Sequence, residues 1–519
     1  MEKARGASVF SCTINLAMTI LGTGILAIPG GVSGAGLAFG LAFTLITAAL
    51  SLFSLFLLGE MMPYGGAHPT LNSIAQRSMG KLGGIIVDLS LLCNCFGAAT
   101  SYLIIASTSI ESLVGSAGWP RQLYVLLCLV VVLPLCLLRR VDMLRFTSYL
   151  ATLALLLLTA VVILFALPWS ESSRWHALFD PCAGVVSGSC RGEVVLAAEP
   201  LGIVKQFVVF TNAYTCQQGM VPICAELERP TRRRKFAVIS GAIGTACVLY
   251  LAVGVAGYLT FGADVKSDIL RSYPDSSPFV SAARLGMTIN VLTSYPLQVF
   301  FSRLSLASLL AACGLGQHAA CTRSCCPRSR AAERDRLWRA RIDPAANGAS
   351  DAASGGAAAN GAGGGSCSSV FLSEPLPVLS AALFIAATTA IALIVDDLGI
   401  VVNLTGATGA TLIGYIAPGI VFALMRKGDA DGRLGVGGVD ERLSESTNAT
   451  AVVGSAISQR LIDPVAHEEG DAAEGLEALV MPRVPLSPRV ERALNAAASS
   501  LFVMGCILVP LAVTLTLAT

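Results

Sequence analysis

Apolar stretches near the length of roughly 20 residues that a helix needs to cross a bilayer recur along this chain. They lie near 9 to 30, 36 to 58, 84 to 114, 121 to 139, 146 to 168, 202 to 225, 236 to 261, 279 to 312, 376 to 395, 398 to 425 and 493 to 518. No water-soluble fold hides that many: 54% of the residues are hydrophobic and 13% charged, against about a quarter charged in soluble proteins. In hydrocarbon each backbone amide needs an internal partner, which a helix supplies within one segment. The expected fold class is therefore an all-α polytopic membrane protein of about 11 transmembrane helices. The first run follows Lys3 and Arg5 like a signal peptide, but it is long and precedes further spans, so it is read as uncleaved.

Positive charge orients such a chain, because Lys and Arg accumulate in cytoplasmic loops. An inside amino terminus places 27 of the 35 Lys and Arg on the cytoplasmic face. The resulting organisation is a short cytoplasmic segment (1–8), helices one to eight (9–312), a cytoplasmic linker (313–375), helices nine and ten (376–425), a second linker (426–492) and helix eleven (493–519). Both linkers are too polar and too rich in small residues to offset their ordering entropy, so disorder is expected there. A net charge of +2 carries no nucleic-acid footprint. Most of the 16 Cys sit in apolar runs as small hydrophobes. Cys182 and Cys190 share the outer loop from 169 to 201, and a disulfide is expected between them. His318, Cys321, Cys325 and Cys326 lie beside Arg323 and Arg328 just past span eight, a juxtamembrane setting that suits palmitoylation better than zinc.

Two spans are interrupted. Span one carries Gly22-Thr23-Gly24-Ile25-Leu26-Ala27-Ile28-Pro29-Gly30-Gly31. If the helix unwinds there, the N–H groups of the following half helix converge on one point at the positive end of its dipole, which suits a carboxylate. The alternative is that these glycines form a close-packing surface against another helix. Span six carries Thr211-Asn212-Ala213-Tyr214-Thr215-Cys216-Gln217-Gln218-Gly219, too polar to face lipid. There Thr215 and Gln217 can bond a ligand directly or bond neighbouring helices. Span ten has Asn403, Thr405, Gly406, Thr408 and Gly409, read as small residues packing on the core. The two breaks are five helices apart, as expected for two five-helix repeats of inverted topology around a midplane site, with one extra helix.

These residues resemble the amino acid/auxin permease family, which includes sodium-coupled neutral and vacuolar amino acid transporters. The resemblance rests on Asn15 with Gly22-Thr23-Gly24-Ile25-Leu26 and Pro29, on Cys216, Pro222 and Glu226-Leu227, and on Gly257-Tyr258-Leu259-Thr260-Phe261-Gly262 with Asp268-Ile269-Leu270. Tyr295-Pro296-Leu297 with Arg303, Leu404-Thr405-Gly406-Ala407-Thr408-Gly409 and Pro418-Gly419 complete it. It implies a leucine-transporter-type fold, an amino acid substrate, and residence in a plasma or vacuolar/lysosomal membrane. It assigns Gly22, Thr23, Gly24 and Ile25 to the substrate backbone, Thr211 and Thr215 to the side-chain pocket, and Thr293 and Ser294, with Asn15, to an ion site. No organic cofactor or resident metal is expected, and the coupling ion is H+ or Na+.

Two departures bear on coupling. Gln217 stands where members often carry His, which removes a pH-sensing group, and Met18 stands where a sodium-coupled member would have Asn. A thioether is a poor ligand for a hard cation. No Asp or Glu sits in mid-span; Glu60, Asp88, Glu111 and Glu226 are near ends. The expected activity is secondary transport of amino acids, proton-coupled or by exchange, with an amino acid sensor signalling through the two linkers as the alternative. An enzyme is not expected, since no span carries a Ser/His pair, paired Asp or metal-ligand cluster.

Overall fold

A computed structural model of the chain describes residues 7–65, 69–115, 119–137, 143–169, 178–182, 191–312 and 375–430, together with Trp175 and parts of 494–506. Cys190, the cluster from His318 to Cys326 and nearly all of the two linkers lie outside the described residues. Cys182 is disulfide-bonded. Among the described residues the secondary structure is helical, apart from one isolated bridge between Ala7 and Leu227.

Span one forms α1 (Val9–Ile20) and α2 (Gly24–Ala35), bent by 52° at the break. Ser8 starts α1 by accepting from the Ser11 N–H at 3.1 Å. Next come α3 (Leu37–Met61), α4 (Leu71–Val114), α5 (Arg121–Leu137) and α6 (Met143–Ala166). Span six divides into α7 (Pro200–Ala213) and α8 (Gln217–Ala225). Then follow α9 (Arg232–Phe261), α10 (Pro278–Ala312), α11 (Pro375–Ile394), α12 (Leu398–Thr405) and, after two π-helical stretches (Gly406–Ala410 and Leu412–Ile416), α13 (Ala417–Ala430).

Four of these stretches, Leu37–Gly65, Leu71–Val114, Arg232–Asp264 and Leu398–Met425, are long and apolar enough to cross a bilayer, and the bent α1–α2 pair would add a fifth. Arg121–Cys136, Leu150–Ala166 and Leu379–Ile394 are shorter apolar helices. A helix or helix pair thus stands at each expected position from 9 to 425. Of the last expected span only a helical stretch around 496–503 is described.

Four described glycines have positive φ, and two of them close a turn against neighbouring backbone. Gly36 ends α2 at φ 85°, and a side chain there would press on the Ala197 backbone 2.6 Å away. Gly262 ends α9 at φ 58°, against the Gly192 carbonyl. Together they let the segment from 192 to 198 run over the ends of α2, α3 and α9, where Leu37 N–H bonds Val195 O at 3.0 Å and Gly192 N–H bonds Phe261 O at 2.8 Å. The following turn is held from below by Arg284, 2% exposed, which donates to Asp275 at 2.6 Å and to the carbonyls of Leu270 and Tyr273 at 2.9 and 3.1 Å.

The helices pack in two groups. In one, α1, α2, α3, α7, α8 and α9 lie against one another; in the other, α4, α5, α10 and α11 do so, with α10 running along α4. The α6 helix packs on both α9 and α10.

Candidate functional site

Both helix breaks open on one cavity of about 50 Å³. From the first break it is lined by Thr19, Ile20, Gly22, Thr23 and Gly24, and from the second by Asn212, Ala213, Thr215 and Gln218. The other helix group supplies Asn94, Gly97, Ala98, Ser101 and Tyr102 from α4, and Gln298 from α10. The cavity therefore sits between the two groups. None of these side chains carries a formal charge.

The first break leaves backbone groups for a ligand. Among the described residues neither the Gly22 nor the Thr23 N–H bonds a backbone carbonyl, and the helical ladder resumes when Leu26 N–H reaches Thr23 O at 3.1 Å. Here the carbonyl end of α1, partially negative, meets the N–H end of α2, partially positive. That polarity matches a zwitterion, with its ammonium toward α1 and its carboxylate toward α2.

One tyrosine fastens the two breaks together. Tyr250 of α9, fully buried, places its hydroxyl 2.7 Å from Ile20 O and 2.8 Å from Ala213 O, the last carbonyls of α1 and α7. Its single proton serves both acceptors, which would otherwise be buried without a donor.

The glycines of span one divide between the two readings that the sequence left open. A Cβ on Gly24 would lie 2.9 Å from the Ala213 backbone and from Tyr250 Oη, so Gly24 is a close-packing residue at the cavity edge. A Cβ on Gly22 would meet only Tyr102 Oη, at 3.6 Å, so Gly22 is open to the cavity.

Three residues expected to touch substrate do not line the cavity. Ile25 is fully buried in the hydrophobic core. Thr211 donates to Phe207 O at 3.2 Å within α7. Gln217, 0% exposed, accepts from the Cys216 N–H at 3.0 Å and donates to Gly414 O at 3.4 Å. That carbonyl lies in the second π-helical stretch, where the i to i−4 ladder is interrupted, and it also accepts from Ser54. Gln217 thus ties the second break to its neighbours. The physical reason is helical rotation: successive side chains point about 100° apart, so Gln218, the next residue, faces the cavity and accepts from Asn94 Nδ2 at 3.3 Å. Thr215 is in the lining, as are Gly22, Thr23 and Gly24.

The residues read as an ion site do not share this cavity. Asn15, Thr293 and Ser294 are absent from the cavity lining. The Thr293 hydroxyl donates to Ile289 O at 2.8 Å and Asn290 O at 3.1 Å in its own helix. Met18 accepts from Thr152 Oγ1 at 2.8 Å, joining α1 to α6.

Sequence reading missed the contribution of α4 and α10. A signal was present: Asn94, Gly97, Ala98, Ser101 and Tyr102 follow the i, i+3, i+4, i+7, i+8 spacing of one helix face, a small and polar stripe in an apolar span. Gln298 follows Tyr295-Pro296-Leu297 and lay just outside that motif. Its Nε2 donates to Tyr102 Oη at 3.3 Å, while its Oε1 is buried without a partner among the described residues.

The chain is similar to known proteins. The family described as transmembrane amino acid transporter protein matches residues 5–430. Vacuolar amino acid transporter 5 of Schizosaccharomyces pombe is 29% identical over 303 residues, 56% of this chain and 67% of that protein. Vacuolar amino acid transporter 7 of Saccharomyces cerevisiae is 26% identical over 298 residues, covering 56% of this chain and 57% of that protein. Sodium-coupled neutral amino acid transporter 7 of Homo sapiens is 25% identical over 297 residues, covering 54% and 61%. The similarity thus spans as little as 57% of a relative's length, so the activity of those whole proteins does not transfer by similarity alone. A Na+-coupled sialic acid symporter, solved substrate-bound and outward-open, aligns over 88% of each chain with a TM-score of 0.47 and 12% identity, a likeness too slight to carry an argument.

Proposed function

We propose that this chain, which belongs to the transmembrane amino acid transporter protein family, is a secondary active transporter that moves neutral amino acids by alternating access. The observation that carries the reading is that two helix breaks, distant in sequence, open on one uncharged polar cavity between two groups of helices. Rocking one group against the other would open the cavity first to one side of the membrane and then to the other. On this reading the broken pairs α1–α2 and α7–α8 begin two five-helix repeats of inverted topology, with an eleventh helix appended.

The substrate's carboxylate would face the free N–H groups of Gly22 and Thr23, and its ammonium the carbonyl end of α1. Gln298 Oε1, an acceptor without a donor, would take a substrate N–H. Thr215, Asn94 and Gln218 would meet the side chain. A charged side chain would enter without a countercharge, at a cost of several kcal/mol in a desolvated site, which favours neutral substrates.

Coupling to protons, or exchange, is preferred to sodium. Met18 is held by Thr152 and offers sulfur where a hard cation needs oxygen. A plasma or vacuolar/lysosomal membrane fits this reading, with the amino terminus in the cytoplasm. The test is uptake of labelled neutral amino acids into proteoliposomes under proton and sodium gradients imposed separately. Saturable uptake accelerated by the proton gradient, or by substrate preloaded inside, is expected. Binding without flux would refute transport and favour a sensor.

A further inference from the structure

Asp88 lies near the cytoplasmic start of the apolar span 84 to 114 within α4, on the orientation read from the loop charges, and is 3% exposed. It is enclosed by a sharp elbow in its own helix. Gly80, at φ 69° and ψ −160°, folds the stretch beginning at Leu71 back onto the start of the span, so Asn72 reaches residues that a straight helix would place about 18 Å or more away. Asn72 Nδ2 donates to Asp88 Oδ2, to Gly84 O at 3.3 Å and to Ser308 Oγ at 3.2 Å. The hydroxyls of Ser305 and Ser308, on α10, also lie beside the Asp88 carboxyl.

Among the described residues, every partner of the Asp88 carboxyl is neutral. Among the described residues, Arg77 and Lys81 on the same helix and Arg303 on α10 make no ion pair with Asp88, and α11, also packed on α4, carries no charged residue; Arg139 and Arg140, just past α5, lie outside the described residues. Arg426 and Lys427 near the end of α13 have side chains outside the described residues. Glu111, Arg121, Arg284, Asp396 and Asp397 belong to the other ends of their elements. An ionised carboxylate away from water and without a cation is costly, whereas the protonated form is a neutral group that the same hydroxyls and amide can satisfy.

The α4 and α10 helices that enclose Asp88 are the two that line the cavity from the second helix group. On α4, Asn94 is six residues on, about 9 Å; on α10, Gln298 precedes Ser305 by about 10 Å. We propose that Asp88 is the proton-binding site that couples transport to proton movement, occupied while α4, α10 and the Asn72 elbow are closed on it and emptied when they part and admit water. The proton goes to a carboxylate oxygen of Asp88 from one aqueous face and leaves to the other; no other bond is made or broken. This rests on the transport reading above.

Two measurements on the full chain in lipid separate the claims. Infrared titration between pH 5 and 8 reads the carbonyl band of a protonated buried carboxyl and needs no substrate. An Asp88-dependent component of the band, beyond that of the buried Asp268, is expected in the wild type, to be lost in Asp88→Asn, and to move its midpoint in Ser308→Ala, which keeps the carboxyl if Asp88→Asn fails to fold. Uptake of a mixture of labelled neutral amino acids is expected to rise at least fivefold with an inward proton gradient in the wild type. In Asp88→Asn it should not respond to that gradient, while exchange against internal substrate persists. Absence of an Asp88-dependent band, or gradient-driven uptake unchanged in Asp88→Asn, overturns the proposal. A band with no flux in the wild type overturns the transport reading and coupling with it, but leaves the proton site.

Discussion

Gln298→Met pits two effects of one atom against each other. Gln298 is 7% exposed, and its Oε1 has no partner while its Nε2 makes one long bond to Tyr102. An unsatisfied buried acceptor costs about 1–3 kcal/mol, and a neutral hydrogen bond contributes roughly 0.5–1.5 kcal/mol. Methionine has similar length and removes both, so the empty protein should be unchanged or stabilised by up to about 2 kcal/mol. The bound protein should change the other way. If Oε1 accepts an N–H from the substrate ammonium, that bond is worth about 1.5–3 kcal/mol, and its loss weakens binding about 10- to 150-fold. Thermal unfolding in nanodiscs, with and without neutral amino acids, measures both. A variant less stable when empty but showing the wild-type stabilisation by ligand would refute the role given to Oε1.

The span-one glycines should separate on substitution. Gly24→Ala, against backbone at 2.9 Å, should lose about 1–3 kcal/mol of stability. Gly22→Ala, with room at 3.6 Å, should unfold like the wild type yet lose most uptake; equal uptake would show that Gly22 does not face substrate. Tyr250→Phe strands the Ile20 and Ala213 carbonyls and should cost about 1–3 kcal/mol, read by the same unfolding assay, with wild-type stability as the contrary result. Asp268 in the turn between α9 and α10 has its carboxyl raised to about 6 from 3.8 by burial, opposed by the Leu270 N–H and by Arg271 and Arg284. As pH climbs through that interval the unfolded chain ionises first, so the folded state loses stability up to about pH 6 and then levels, by at most about 3 kcal/mol. Asp268→Asn keeps the acceptor for Leu270 and should abolish that decline; a parallel pH profile for the two proteins would contradict it.

The breaks in spans one and six could be read from the sequence because they are local. A glycine pair around a threonine, and a polar run in an apolar span, announce where backbone leaves the helix. Which neighbouring side chain turns inward was not legible in the same way. Gln217 and Gln218 are chemically identical, and only the exit angle of α8 decides that the second meets the cavity while the first grips Gly414. Gly22 and Gly24 likewise differ only in what stands opposite, Tyr102 at a distance or Ala213 in contact.

Sequence alone determined that this chain is helical and destined for lipid, because hydrocarbon leaves a backbone few other ways to satisfy its amides, and apolar runs record that demand residue by residue. Tertiary packing decided the chemistry. It joined two distant breaks through the hydroxyl of Tyr250, brought the polar stripe of α4 and Gln298 of α10 to face them, and folded Asn72 onto Asp88. Such juxtapositions depend on the relative rotation and depth of helices far apart in the chain, quantities that no local pattern encodes.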